Sequence, residues 1–145
     1  RLLMLYLDTC VLLAALTPEN HSGAAATFLE QAPAPLAISP WSATELHSVL
    51  GLKVRTGALS PAQAEAVLEG FERSLAPGFL MLEVQPQDFR NASACLRGWT
   101  TALRAADALH LAIAAGRGTI LCSLEGPFVM AARQLGLEAQ LIGAD

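Results

Sequence analysis

A chain of 145 residues can form one domain with its own core, and residues 1–145 are read here as a single domain. Hydrophobic residues make up 53% and charged residues 15%, yet no apolar run reaches the ~18 residues that a bilayer span needs, so a membrane partner is not expected and the surplus apolar surface points to a protein partner or a second copy. The net charge of −4 argues against a dense basic nucleic-acid footprint, and three cysteines without paired spacing (Cys10, Cys95, Cys122) argue against a disulfide scaffold or four-cysteine zinc site and for a reducing cytoplasm.

Leu2–Leu7 is a short apolar run stopped by Asp8, the pattern of a buried strand rather than a secretory leader, with Met4 a candidate natural start. Asp8-Thr9 caps a helix from Cys10 to Leu16, and a second helix spans His21–Gln31 before Ala32-Pro33-Ala34-Pro35. Leu36–Ile38 is a strand. Ser39-Pro40 then supplies a cap and a first-turn proline for a helix to Thr56, and Ser60-Pro61 repeats that signal for a helix to Leu75. Phe79–Val84 is the third strand, followed by a helix from Pro86 to Trp99. A helix over Arg104–Ala115, the strand Thr119–Cys122, a helix over Gly126–Leu135 and the strand Glu138–Ile142 complete the chain. Strands alternating with helices predict an α/β domain with a parallel sheet covered on both faces.

Four acids follow apolar runs where strands hand over to helices: Asp8, Glu45, Asp107 and Glu125. In an open parallel sheet, ligands bind beyond the carboxyl ends of the strands, so these acids are expected to converge there. Clustered carboxylates repel and partly protonate unless a cation neutralises them, and oxygen donors suit Mg²⁺. Removing four acidic charges from −4 leaves zero, so the global charge does not weigh against a polyanionic substrate.

Each acid also has a plainer reading. Asp8 suits a helix N-cap, and Glu125 suits a first helical turn. Glu45 falls in an apolar arc with Trp41, Leu46, Val49 and Leu52, where an acid needs a partner, Arg55 or Lys53 being alternatives to a metal. Asp107 shares a slanted stripe with Arg104 and His110 on an otherwise apolar helix, facing either solvent or a polar cleft. Ser123 caps the helix after it or holds a water or carboxylate, and His47 reads as a surface or partially buried histidine rather than a ligand. Lys53, Arg55, Arg104 and Arg117 are candidate phosphate contacts.

The segments Tyr6-Leu7-Asp8-Thr9-Cys10, Thr44-Glu45-Leu46, Leu103–Ala112 and Ala131–Leu137 together resemble PIN-domain ribonucleases, in particular the VapC toxins of bacterial toxin–antitoxin pairs. The resemblance implies a three-layer sandwich with a central parallel sheet of about five strands. It also implies Mg²⁺ or Mn²⁺ dependence, endonucleolytic RNA cleavage leaving 5′-phosphate and 3′-hydroxyl ends, a homodimer and a cognate antitoxin. It carries the family's acids onto Asp8, Glu45 and Asp107, and its fourth position onto Glu125, where Glu replaces the usual Asp and Ser123 the usual Thr. Thr9 and Ser123 are expected to orient carboxylates, and Arg104 to meet phosphate or balance the acids. The rival readings are a catalytically silent domain that binds metal, RNA or protein, and a structural partner protein. A covalent aspartyl phosphatase would want a second Asp where Cys10 stands, and a phosphoacceptor receiver would want paired acids and a late lysine.

Overall fold

The structure, a computed structural model, describes residues 3–143. Five short parallel strands form one sheet: β1 (Leu5–Leu7), β2 (Leu36–Ile38), β3 (Leu80–Met81), β4 (Ile120–Ser123) and β5 (Ala139–Leu141), in spatial order β3-β2-β1-β4-β5. Seven α-helices connect them: α1 (Thr9–Leu16), α2 (Ser22–Gln31), α3 (Pro40–Arg55), α4 (Pro61–Gly70), α5 (Pro86–Leu96), α6 (Ala105–Gly116) and α7 (Gly126–Gln134).

Alternation along the strands divides the core in two. Leu5 and Leu7 of β1, Ile38 of β2 and Cys122 of β4 pack with α1–α4, whereas Tyr6, Ala37 and Leu121 face the other way and pack with α5–α7. Helix α6 is buried almost all round, as its apolar composition demands. It needs few polar contacts except at its ends and at His110.

The sheet order creates a switch point. From β1 the chain winds outward through β2 and β3, then returns to add β4 and β5 on the opposite side. Strands β1 and β4 pair with Leu7 opposite Cys122, so Asp8 and Ser123 emerge side by side at their carboxyl ends. This is where an open α/β sheet offers a crevice.

Three elements differ from the sequence expectation. Strand β3 is two residues long, not Phe79–Val84, because its one partner among the described residues is the three-residue β2, and beyond the Leu82 N–H bond to Ile38 the chain leaves for α5. The helix after Ser60 ends at Gly70, and Phe71–Leu75 continue as a wider π-helical turn. Helix α5 stops at Leu96, short of Trp99, because Gly98 and Trp99 both take positive φ. Leu52 is 53% exposed rather than part of the apolar arc of α3.

Candidate active site

All four expected acids line one cleft of about 220 Å³ at the switch point, with Thr9, Cys10, Leu13 and Val49 completing its walls. Asp8 is held by the element behind it and the strand beside it. Its backbone N–H donates to Cys122, continuing the ladder one step past β1. Its side chain makes no cap bond to α1. Instead Oδ2 accepts from Ser123 Oγ at 2.8 Å and from the Cys10 thiol at 3.1 Å. Ser123 Oγ also accepts the Glu125 backbone N–H at 3.0 Å, so one hydroxyl fixes both Asp8 and the start of α7. Burial, then the Asp8 charge, pushes the Cys10 thiol up, which keeps it a neutral donor.

Glu45 projects from the second turn of α3. Neither Arg55 nor Lys53 is its partner. Its Oε1 accepts from His110 Nε2 at 2.8 Å, and His110 is completely buried on α6. The same Nε2 lies 3.1 Å from Thr9 Oγ1. On the other side of the ring, Nδ1 lies 2.7 Å from the Tyr6 hydroxyl, itself 2.7 Å from Ser39 Oγ. A carboxylate can only accept, so a singly protonated ring gives its Nε2 proton to Glu45 and accepts from Tyr6 at Nδ1. Burial raises the Tyr6 pKa to about 12, consistent with a phenol that donates. Burial also pushes Glu45 up, but the hydrogen bond and field of His110 and the Thr9 hydroxyl outweigh it and leave the carboxyl below its usual value.

Asp107 is in the first turn of α6 and has no such donor. Burial first, then the charges of Asp8, Glu125 and Glu45, raise its pKa to about 6. Glu125 stands at the exposed rim as the residue before α7. Partial desolvation and the charges of Asp8 and Glu45 raise it as well. Among the described residues, no lysine or arginine lines the cleft. One oxygen each of Asp8 and Glu45 and a ring nitrogen of His110 lie within 4.8 Å of one another, so the group could hold a metal ion. The wider donor set, rich in hard oxygen, suits a hard divalent cation.

The expected neighbours sort themselves differently. Ser123 Oγ reaches Asp8, and Thr9 Oγ1 lies against His110 Nε2. Arg104 does not balance the acids: it is exposed, caps α6 and joins no ion pair among the described residues. Arg117 is not a free phosphate contact. Its guanidinium grips both oxygens of Asp88 at 2.9 Å, locking the start of α5 to the end of α6. Sequence reasoning did not single out Asp88, although Gln85-Pro86-Gln87-Asp88 carries the spacing of a capping box, which the structure forms. Nor did it join Tyr6 to His110. The signal was a histidine in the middle of an apolar helix, which must find partners once buried. His47 is a surface residue whose Nδ1 lies 2.7 Å from the Ala43 carbonyl.

The PIN domain family model matches residues 5–125. The chain belongs to the PIN-domain family. Solved structures with this PIN fold include FitAcB from Neisseria gonorrhoeae, at 18% identity and a TM-score of 0.72, covering 94% of this chain and 96% of that one. The toxin VapC20 from Mycobacterium tuberculosis, which cleaves the sarcin–ricin loop, matches at 17% identity and 0.68, with 88% and 94% covered. VapBC2 from Rickettsia felis, bound to a DNA fragment from its promoter, matches at 14% and 0.71, with 97% and 99% covered. No curated protein matches the chain in sequence. Among the described residues no helix is long and apolar enough to cross a membrane.

Proposed function

We propose that this PIN domain is a metal-dependent endoribonuclease, the toxin of a toxin–antitoxin pair, with Asp8, Glu45, Asp107 and Glu125 as its catalytic carboxylates. The observation that carries the reading is the convergence of four acids on one cleft that no lysine or arginine among the described residues lines, where Asp107 keeps its proton up to about pH 6. Such a donor set fits Mg²⁺ or Mn²⁺, held by these four residues. A bound cation would supply the charge that draws in the scissile phosphate and activates an attacking water.

The chain's own residues prepare that chemistry. Ser123 and Cys10 aim Asp8 into the cleft. Thr9 and His110 orient Glu45, and the Tyr6–Ser39 pair behind them fixes the imidazole, the kind of outer support that makes a ligand set rigid. Asp107 and Glu125 complete the ring, and as the most easily protonated acids they gain most from a cation. RNA as substrate is supported by the fold shared with a sarcin–ricin-loop-cleaving toxin. A protein antitoxin and a homodimer belong to the same reading. They are supported by the VapBC2 relative and by the exposed side chains of Leu3, Leu52, Leu80, Met81, Phe89 and Met130. A cytoplasmic location follows from that role.

The test is cleavage of a mixed RNA pool by the purified protein with Mg²⁺, with Mn²⁺ and with EDTA, beside Asp8→Asn. Metal-dependent cuts that vanish in the variant are expected. Cuts that persist in Asp8→Asn would remove the assignment, and Mn²⁺ binding without cleavage of any RNA would make this a silent binding domain.

A further inference from the structure

The loop between α5 and α6, residues 97–104, plays no part in holding the acids, yet it carries an unusual set of groups. Trp99 is 83% exposed, the most exposed large hydrophobic side chain among the described residues. It is also their one non-glycine residue at positive φ, at 59°, following Gly98 at 102°. Left-handed backbone at a bulky residue costs about 1 kcal/mol or more, and an indole left in water forgoes its usual burial. Arg97 and Arg104 flank it, both exposed and in no ion pair among the described residues, whereas Arg73 and Arg117 have carboxylate partners.

The far end of the loop reaches the acids. Ala102 and Leu103 line a hollow of about 100 Å³ together with Asp107, Glu125, Pro127 and Phe128, and Asp107 and Glu125 belong to the main cleft as well. The hollow is therefore an apolar annex to the carboxylates. Four residues of chain span at most about 14 Å, so Trp99 stands within that distance of Leu103. An aromatic face between two free cations, next to an apolar annex of a phosphodiester-cleaving site, matches the alternation of base and phosphate in a single strand. A purely apolar protein partner would leave both guanidinium groups to be desolvated without compensation.

We propose that residues 97–104 dock the single-stranded RNA beside the scissile phosphate. Trp99 stacks on an unpaired base, Arg97 and Arg104 meet backbone phosphates, and the Leu103–Phe128 annex takes the base nearest the carboxylates. The proposal rests on the ribonuclease reading above and names how that site selects its substrate.

The test uses full chain carrying Asp8→Asn to prevent turnover, with a fluorescein-labelled, mixed-sequence single-stranded RNA as probe. Adding Trp99→Ala raises Kd about five- to hundredfold, Trp99→Phe recovers most of the loss, and the dependence on Trp99 disappears when the probe is annealed to its complement. Arg97→Ala with Arg104→Ala flattens the slope of log K against log salt by about 1.4. An exposed side chain contributes little to stability, so the melting temperature of Trp99→Ala stays within about a degree of its parent. An unchanged Kd in Trp99→Ala, while the protein with native Asp8 still cleaves RNA, overturns the loop and leaves the ribonuclease standing. Absence of cleavage by the native chain strikes the ribonuclease reading itself. A halved mass in sedimentation on Trp99→Ala would make Trp99 a contact between copies of the chain and also overturn the proposal.

Discussion

Replacing Asp107 with Asn should stabilise the metal-free protein at neutral pH and weaken its response to divalent cations. Asp107 ionises near pH 6 instead of 3.8, because of burial first and then the charges of Asp8, Glu125 and Glu45. That gap of about two pH units is worth at most ~3 kcal/mol. The cleft is open to solvent on one side, and screening reduces the figure to about 1–2 kcal/mol, or roughly 3–6 °C in melting temperature for a chain of this size. The folded pKa lies above the unfolded one. The contribution of the protonated carboxyl is therefore complete below pH 3.8 and is lost as pH rises through about 6. The advantage of the Asn variant should accordingly be absent at pH 4 and full at pH 7. Melting curves across that range in EDTA measure it. Saturating Mn²⁺ should then raise the native protein by about 2.7 kcal/mol at one hundred times Kd, and the variant by much less. A variant less stable than the native chain in EDTA at pH 7, or one that gains as much from Mn²⁺, would refute the reasoning.

Tyr6→Phe removes a hydroxyl that both Ser39 and His110 use, and should cost about 1–3 kcal/mol in urea unfolding. An unchanged midpoint would mean the imidazole has another partner. Asp88→Ala leaves Arg117 with the Glu83 carbonyl but no carboxylate partner and should cost about 2–4 kcal/mol at pH 7. The Arg117 hydrogen bonds hold the Asp88 carboxyl below its usual value, so its contribution is present above pH 3.8 and is lost as pH falls below it. The gap between native and variant should narrow in acid, and a constant gap would refute the pairing as its source. Ser123→Ala releases Asp8 and the Glu125 N–H together and should weaken Mn²⁺ binding about 10- to 100-fold by calorimetry. An unaltered Kd would show that Asp8 needs no such support.

The parallel sheet and the edge on which the acids lie were legible in the sequence because both depend on local pattern. Leu5–Leu7 and Leu36–Ile38 are short apolar runs with polar stops, and Ser39-Pro40 and Ser60-Pro61 mark helix starts that form as read. What stayed hidden depends on pairing across the chain. His110 belongs to Tyr6, 104 residues away, and no periodicity links an α6 position to a β1 position. The same holds for Asp88 and Arg117, whose mutual grip removes a cation that looked free in one dimension. The two-residue β3 was misjudged because strand length is set by the partner β2 and not by the apolar run Phe79–Leu82. Trp99 was placed in a helix because nothing local except Gly98 announces the left-handed turn.

The distribution of cations settles why the net charge of −4 is a poor guide to what the cleft attracts. Arg117 is committed to Asp88 at the opposite end of α6, Arg73 to Glu69 on the surface, and Arg104 is exposed and joins no ion pair among the described residues. His110 satisfies one oxygen of Glu45, and Ser123 and Cys10 satisfy one of Asp8. These donors orient the acids without removing the burial and neighbouring charges that raise the Asp107 pKa to about 6. A fold that merely tolerated four acids would pair them with its own basic residues. Here His110 pairs with Glu45, no lysine or arginine among the described residues lines the cleft, and the carboxylates face a common space that could hold a cation.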